Sequence, residues 1–213
     1  MRFIRKAIGA PARLGILAGA FHPPTQAHLA LARTALDLFE TDEVLFVLPA
    51  RFPHKKYENV GLDERLSLLL DATSGEPRFS VALSDGGLFY EIAREARPHY
   101  PEAARLRFLC GRDAAERIVK WPYEGLPSIE QQLKEFDLLV AKRKGEYLPP
   151  PGLEASIHPL RMEGDWESVS STEVRRRIAA GEPWEELVPE AIREPVRKLY
   201  GSLSLSPAPE PKG

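Results

Sequence analysis

The sequence predicts an α/β protein with a doubly wound, mostly parallel sheet in a single domain. Short apolar runs, rich in leucine and β-branched residues, alternate along the chain with segments whose apolar residues recur at helical spacing. This alternation is typical of βαβ units, in which helices cover both faces of a parallel sheet. A length of 213 residues with 43% hydrophobic residues allows one sizeable core.

Five apolar runs are predicted to be buried strands. They are Leu14–Ala18, Val44–Leu48, Phe79–Leu83, Leu106–Cys110 and Leu138–Ala141. Helical spacing indicates helices between them, at Leu29 to Phe39, Leu62 to Ala72 and Ile92 to Ala96. Right-handed crossovers place the carboxyl ends of parallel strands at one edge, where ligands bind in open α/β sheets. The predicted architecture is therefore Rossmann-like, with its site at that edge.

The bounds of the domain follow from composition. We expect one domain over residues 10–201, followed by the segment SLSLSPAPEPKG at residues 202–213. This last segment is rich in serine and proline and has few large apolar residues, so it is predicted to be a disordered tail.

Charge and cysteine content exclude some classes of function. The 29 basic and 31 acidic residues give a formal charge of -2, so no global excess favours nucleic acid or an anionic membrane. We find no convincing signal peptide at the N-terminus and no run near the roughly 18 apolar residues of a membrane span. The single cysteine, Cys110, cannot form an internal disulfide and is expected to be a small buried hydrophobe. These features predict a cytoplasmic protein and leave its oligomeric state open.

The segment GAFHPPTQAH, from Gly19 to His28, directly follows the first predicted strand. A glycine at the strand end lets backbone and ligand approach closely, and Pro23 and Pro24 make the loop rigid. Thr25 is a suitable first residue for the next helix, and it shares a face of the first turn with His28. Free N–H groups there favour an anion, to which a histidine can donate. The segment thus predicts a phosphate site, unless His28 only packs and Thr25 only caps.

A second signal is VSSTEVRRRI, from Val169 to Ile178. Ser170 and Glu173 have the spacing of a capping box, which predicts that a helix begins here. Ser171 and Thr172 then carry hydroxyl groups beside the free N–H groups of the helix start. The arrangement predicts a second anion site.

Arginines on the same predicted helix extend this site. Arg175 lies one turn beyond Ser171 on the same face, and its planar guanidinium suits phosphate oxygens. Arg176 and Arg177 are better interpreted as the solvated face of an amphipathic helix.

The T-x-x-H loop and the S-S-T-x-[IV]-R helix start, in this order, resemble the nucleotidylyltransferase superfamily with the [HT]-x-G-H motif. Within it, residues 13–201 resemble the bacterial nicotinate-nucleotide adenylyltransferase family. The matching elements are PHKK at 53–56, DERLSLLLDA at 63–72, GRDAAERIVKW at 111–121 and ELVPEAIREPVRKLYG at 186–201.

The resemblance implies an enzyme that moves AMP from ATP to the 5′-phosphate of nicotinate or nicotinamide mononucleotide. The products are a dinucleotide of NAD biosynthesis and pyrophosphate, and Mg²⁺ assists. Such a reaction needs no enzyme nucleophile, because it depends on positioning and charge neutralisation. The implied partners are ATP and a small phosphorylated acceptor, without nucleic acid or membrane.

The resemblance also implies roles for individual residues. The catalytic residues would be Thr25, His28, Lys55 and Arg175. ATP would be contacted by Gly19, Ala20, Phe21, Thr25, His28, Gly111, Asp113, Ser170, Ser171, Thr172 and Arg175. The acceptor would be contacted by Lys55, Phe89, Tyr90 and Trp121, although Trp121 could equally be a packed residue. No residue is predicted to be a metal ligand.

Two segments depart from the family pattern. In the first loop, residues expected as Gly, Thr or Ser, Asp and Gly are replaced by Ala18, Ala20, His22 and Ala27. After the third predicted strand, the family's P-S-Y-T-x-x-T-L segment, which helps to bind nicotinate, is replaced by SDGGLFYEIARE. The triphosphate half of the site is therefore better supported than the acceptor half.

These departures keep two alternatives open. One is the same chemistry on another phosphorylated acceptor, which the altered acceptor segment favours. The other is a non-catalytic nucleotide-binding module, which the altered first loop favours. Fold alone does not decide between them.

Overall fold

The computed structural model describes residues 1–38, 40–50, 60–141, 147–166 and 168–201. These residues contain one seven-stranded sheet in the order β1-β4-β3-β2-β5-β6-β7. Its strands are β1 (Arg2–Arg5), β2 (Arg13–Ala18), β3 (Glu43–Pro49), β4 (Phe79–Ser84), β5 (Arg105–Gly111), β6 (Asp137–Ala141) and β7 (Ile157–Leu160). Strand β1 pairs antiparallel with β4, and the other neighbouring pairs are parallel.

Seven helices are described around this sheet. They are α1 (Gln26–Asp37), α2 (Leu62–Ala72), α3 (Phe89–Ala96), α4 (Arg112–Lys120), α5 (Ile129–Gln132), α6 (Ser171–Ala180) and α7 (Arg193–Gly201). Within the described residues, no helix is long and apolar enough to cross a membrane.

The core lies on both faces of the sheet because successive strand residues point to opposite sides. In β3, Leu45 and Val47 pack into one apolar cluster, whereas Phe46 and Leu48 pack into the other. Both faces are therefore covered, which explains why the strands read as continuous apolar runs. A third cluster joins α2, α6 and α7.

The strand order reverses between the neighbours β2 and β5: β3 and β4 follow on one side of this pair, and β6 and β7 on the other. Ligands of doubly wound sheets bind outside the carboxyl ends of the strands at such a point. The loop after β2 begins there, and Gly111 lies there at the end of β5.

The predicted α/β class, the five strands and the three helical segments are confirmed. The sheet also contains two strands that the sequence analysis did not predict, β1 and β7. Strand β1 precedes residue 10, the predicted start of the domain, and is short and alternately exposed. The predicted tail at 202–213 lies outside the described residues.

Cys110 is buried as predicted, and burial raises the pKa of its thiol to about 12.

Candidate active site

The β2–α1 loop, residues 19–25, lies at the edge of the sheet formed by the carboxyl ends of the parallel strands. The Gly19 N–H donates to the Val47 carbonyl at 3.1 Å, which fixes the start of the loop against β3. Phe21 has a φ of 45°, in the left-handed region, although it is not glycine. Its ring is buried and lies 5.2 Å from the ring of His28. Such strain, of about 1–3 kcal/mol, persists where packing imposes it and is concentrated at functional sites.

Thr25 and His28 form the start of α1. Thr25 is the N-cap residue, and its backbone N–H donates to His28 Nδ1 at 3.0 Å. The Thr25 hydroxyl lies 2.8 Å from the same ring nitrogen. A backbone N–H can only donate, so Nδ1 accepts and the neutral ring carries its proton on Nε2. One side chain can thus cap the helix through Nδ1 and donate to a phosphate oxygen through Nε2.

The start of α6 contacts the β2–α1 loop. Ser171 Oγ donates to the Pro23 carbonyl at 2.7 Å, and the Arg175 guanidinium donates to the His22 carbonyl. The structure therefore brings together two motifs that are about 150 residues apart in the sequence. Thr172 is exposed, with Oγ1 at 3.4 Å from the Arg175 guanidinium.

Only the hydroxyl half of the predicted capping box forms. Ser170 is the N-cap residue, and its hydroxyl accepts from the Glu173 N–H at 3.1 Å. The Glu173 carboxylate instead binds Arg176 and Arg177 at 2.8 and 2.9 Å. Their hydrogen bonds, that of Arg176 first, lower the pKa of Glu173 to about 2. Arg176 and Arg177 thus form an ion-paired surface, in agreement with their predicted solvated face.

Sequence reasoning missed the role of Arg65 in α2. This side chain is buried and donates to the carbonyls of Gly61 and Ala20, each at 3.2 Å. It therefore binds the β2–α1 loop from α2, as Ser171 and Arg175 do from α6. A signal was present, because Arg65 shares the buried face of α2 with Leu68 and Leu69.

The link between His22 and Tyr200 was also missed. His22 Nδ1 lies 2.8 Å from the Tyr200 hydroxyl of α7, and both residues are buried. Burial, followed by the charges of Arg175 and Arg65, lowers the pKa of His22 to about 4. Burial raises the pKa of Tyr200 above its usual value. Both groups are therefore neutral at pH 7.

Gly111, Asp113 and Trp121 lie along α4. Gly111 is its N-cap residue, and a Cβ there would have no atom within 4 Å, so the space beside it is open. Asp113 is exposed in the first turn. Trp121 is half-buried at the opposite end of the helix, as its C-cap residue.

Phe89 and Tyr90 begin α3, after β4. The half-buried ring of Phe89 stacks on Phe108 at 4.2 Å between centroids. The ring of Tyr90 is buried, with the Arg94 guanidinium 4.6 Å from its centroid. Of the two aromatic residues expected to face the acceptor, Phe89 is thus the more exposed.

The β4–α3 loop, residues 85–88, is held by carboxylates that the sequence analysis did not single out. Glu95 accepts from the N–H groups of Asp85 and Gly86, at 3.2 and 2.7 Å. Glu91 accepts from those of Gly87 and Leu88, both at 2.9 Å. The α-amino group of Met1 lies 3.1 Å from Glu95. All four loop amides are therefore bonded to glutamates.

Lys55, which is predicted to be catalytic and to contact the acceptor, lies within 51–59, outside the described residues. In the part of the chain that is described, no three side chains of His, Cys, Asp or Glu group as a metal site.

Comparison with known proteins identifies the family. The cytidylyltransferase-like family matches residues 16–177. A probable nicotinate-nucleotide adenylyltransferase of Moorella thermoacetica is 32% identical over 202 residues, covering 88% of this chain and 90% of the relative. Another, from Thermus thermophilus, is 33% identical over 191 residues, covering 87% of this chain and 97% of the relative.

Solved structures share the fold. The nicotinic acid mononucleotide adenylyltransferase of Plasmodium falciparum complexed with APC has a TM-score of 0.66 at 16% identity, covering 88% of this chain and 96% of that one. The same protein complexed with NaAD has a TM-score of 0.65 at 16% identity, covering 88% of this chain and 98% of that one. Both the predicted fold and the predicted family are confirmed: the chain belongs to the nicotinate-nucleotide adenylyltransferase family, within the cytidylyltransferase-like proteins.

Proposed function

We propose that the protein is an adenylyltransferase that moves AMP from ATP to the 5′-phosphate of nicotinate or nicotinamide mononucleotide, giving a dinucleotide and pyrophosphate. The observation that carries the proposal is that the N-termini of α1 and α6 both meet the β2–α1 loop: Thr25 binds His28 at its end, and Ser171 and Arg175 bind its Pro23 and His22 carbonyls. Two helix starts and an arginine suit the phosphates of ATP. The named relatives support the same activity.

In the proposed reaction, an oxygen of the acceptor phosphate attacks the α-phosphorus of ATP in line. The new P–O bond forms as the bond from the α-phosphorus to the bridging oxygen breaks, and pyrophosphate leaves with that electron pair. The acceptor phosphate is already anionic, so no enzyme base has to remove a proton. The protein contributes position and charge neutralisation.

Individual residues have distinct proposed roles. His28 Nε2–H donates to phosphate oxygens that gain charge in the transition state. Arg175 and the α6 start bind the β- and γ-phosphates, with Lys55 assisting at the reacting phosphates. Gly111 and Asp113 approach the ribose, while Phe89 and Trp121 supply stacking surfaces for the acceptor ring.

Mg²⁺ is proposed as a companion of ATP. The phosphate oxygens of ATP, with water, can supply most of the ligands that this ion needs. The ion would neutralise phosphate charge. We also propose that the enzyme works in the cytoplasm on small nucleotides and does not bind nucleic acid.

The test is pyrophosphate release by the full-length protein with ATP and Mg²⁺. Nicotinate mononucleotide and nicotinamide mononucleotide are supplied separately, with a reaction lacking acceptor as the control. We expect acceptor-dependent release with at least one of them. No release with either would overturn the proposed acceptor class.

A second candidate keeps the reaction and changes the acceptor. It is favoured by the β4–α3 loop, whose four amides are bonded to Glu91 and Glu95 and so differ from an anion-binding loop. A panel of other phosphorylated metabolites tests it. It is rejected if a pyridine mononucleotide is the best substrate by a wide margin.

A further inference from the structure

The β2–α1 loop is held through its backbone carbonyls by donors from two other helices. The pairs are Arg65 to Ala20, Arg175 to His22 and Ser171 to Pro23. These bonds join α2 and α6 to three of the seven loop residues. The loop that is proposed to receive ATP is therefore positioned by side chains from distant parts of the chain.

A fourth link reaches the loop through a side chain. The His22 ring is hydrogen-bonded to the Tyr200 hydroxyl at 2.8 Å, and the two ring centroids are 5.2 Å apart. Tyr200 lies in α7, whose buried face, with Val196, packs into the third apolar cluster. The C-terminal helix thus contacts the loop directly, although it carries no residue of the proposed catalytic set.

We propose that Tyr200 is a positioning residue: its hydroxyl holds the His22 ring, and thereby fixes the β2–α1 loop in the conformation that binds ATP phosphates. The proposal rests on the proposed function for the identity of the ligand. It extends that function by assigning a role to α7.

The geometry favours positioning over simple packing. His22 also accepts from Arg175 through its carbonyl, so a shift of its ring is transmitted to the arginine proposed to bind phosphate. Arg65 and Arg175 both act on His22 electrostatically and disfavour its protonated form. A neutral hydroxyl partner suits this site, because it adds a hydrogen bond without adding a charge beside the two arginines.

The test is Tyr200→Phe, which removes one hydroxyl and keeps the ring. Losing a single hydrogen bond should raise KM for ATP by roughly 3- to 10-fold, with KM for the acceptor unchanged. The dissociation constant of ATP, measured by calorimetry without acceptor, should rise by a similar factor. This second measurement remains informative if neither pyridine mononucleotide is a substrate, so failure of the proposed function can be told apart from failure of the link.

A matched control is Tyr100→Phe. Tyr100 is also buried, and its hydroxyl donates to Glu43 at 2.6 Å, at the start of β3 and so at the opposite edge of the sheet. This variant should lose thermal stability without weakening ATP binding. An unchanged ATP affinity in Tyr200→Phe, or equal weakening in both variants, overturns the proposal.

A double-mutant cycle tests whether the effect passes through His22. His22→Asn keeps an amide near the position of Nδ1, whereas His22→Leu removes the ring nitrogen that binds the Tyr200 hydroxyl. Tyr200→Phe should weaken ATP binding in the wild-type and Asn backgrounds and add nothing in the Leu background. An undiminished effect in the Leu background would show that Tyr200 acts by another route.

Discussion

Two loops at the same edge of the sheet are held in opposite ways. Side chains of α2 and α6 bind the β2–α1 loop through its carbonyls, and two of the three donors are the guanidinium groups of Arg65 and Arg175. The β4–α3 loop is bonded through its amides, and all the acceptors are the carboxylates of Glu91 and Glu95. Two of the three side chains that bind the carbonyls of the first loop are cationic, whereas both that bind the amides of the second are anionic, one of them paired with the α-amino group of Met1.

This difference bears on which ligand group each loop can receive. Arginines beside a loop favour a ligand with several negative charges, as ATP has. A loop whose amides are already bonded to carboxylates has little capacity for a further anion, because each N–H has an acceptor and the local charge is negative. We therefore interpret the β2–α1 loop as the phosphate side and the β4–α3 loop as a side suited to a neutral group.

Substitution of His28 should have the largest effect on the phosphate side. His28→Ala is expected to lower kcat about 100- to 1,000-fold, the loss typical of a donor to a charged transition state. KM for ATP should change much less, since the contact strengthens at the transition state. Steady-state pyrophosphate release measures both quantities.

Two further variants separate the roles of the two ring nitrogens of His28. His28→Asn keeps a group near Nδ1, which accepts from the Thr25 N–H, but has none at Nε2. His28→Gln places its amide near the position of Nε2 and leaves no group at Nδ1. We expect near-normal thermal stability with low kcat for Asn, and lower stability with higher kcat for Gln. Equal effects on kcat and ATP affinity in all three variants would reduce His28 to a structural or binding residue.

Arg175→Met should come next in size. It removes a charge-assisted donor, so KM for ATP is expected to rise about 10- to 100-fold. Arg176→Met on the same helix is the control, because Arg176 is half exposed and its ion pairs with Glu173 and Glu182 contribute little. If both variants bind ATP equally well, Arg175 contributes no more to phosphate binding than an arginine on the helix surface.

The central strands and the helix starts were predictable from the sequence because they depend on residues that are close together in the chain. Apolar runs predicted the five central strands, and turn and cap residues predicted the starts of α1 and α6. Strand β1 was not predicted, since RFIR is short and its burial alternates between exposed and intermediate. Strand β7 contains Pro159, which argues against a central strand. It lies at the edge of the sheet, where proline is tolerated.

The contacts that position the site were less predictable because they depend on long-range packing. Nothing local to His22 indicates that its partner is Tyr200, 178 residues later. Arg65 gave a partial signal as a charge on a buried helix face, but its acceptor at Ala20 could not be read from spacing. The capping box illustrates the same limit, since Arg176 and Arg177 compete for the Glu173 carboxylate.

The low pKa of His22 predicts how the stability of the phosphate side depends on pH. The pKa is about 4 in the folded protein against an ordinary value of 6.5, so between these values the unfolded chain binds a proton that the folded protein does not. The free energy of unfolding should therefore fall as the pH falls from about 6.5 to about 4, by about 2 kcal/mol for this residue. Urea unfolding across this range measures the loss. His22→Asn, which cannot titrate, should show a shallower decline, and an identical slope would contradict the assignment.

The smallest effect is expected from a substitution beside the β4–α3 loop. Glu91→Gln removes a negative charge from the β4–α3 loop and keeps an oxygen for the Gly87 and Leu88 N–H groups. If an acceptor ring lies beside this loop, kcat/KM for nicotinate mononucleotide should rise about 3- to 5-fold relative to nicotinamide mononucleotide, because one charge repulsion in a solvated site is lost. Glu102→Gln, an exposed glutamate before β5 and so at the opposite edge, should leave the ratio unchanged. An unchanged ratio in Glu91→Gln would place the charged end of the acceptor away from the β4–α3 loop and limit the contrast between the loops to their internal bonding.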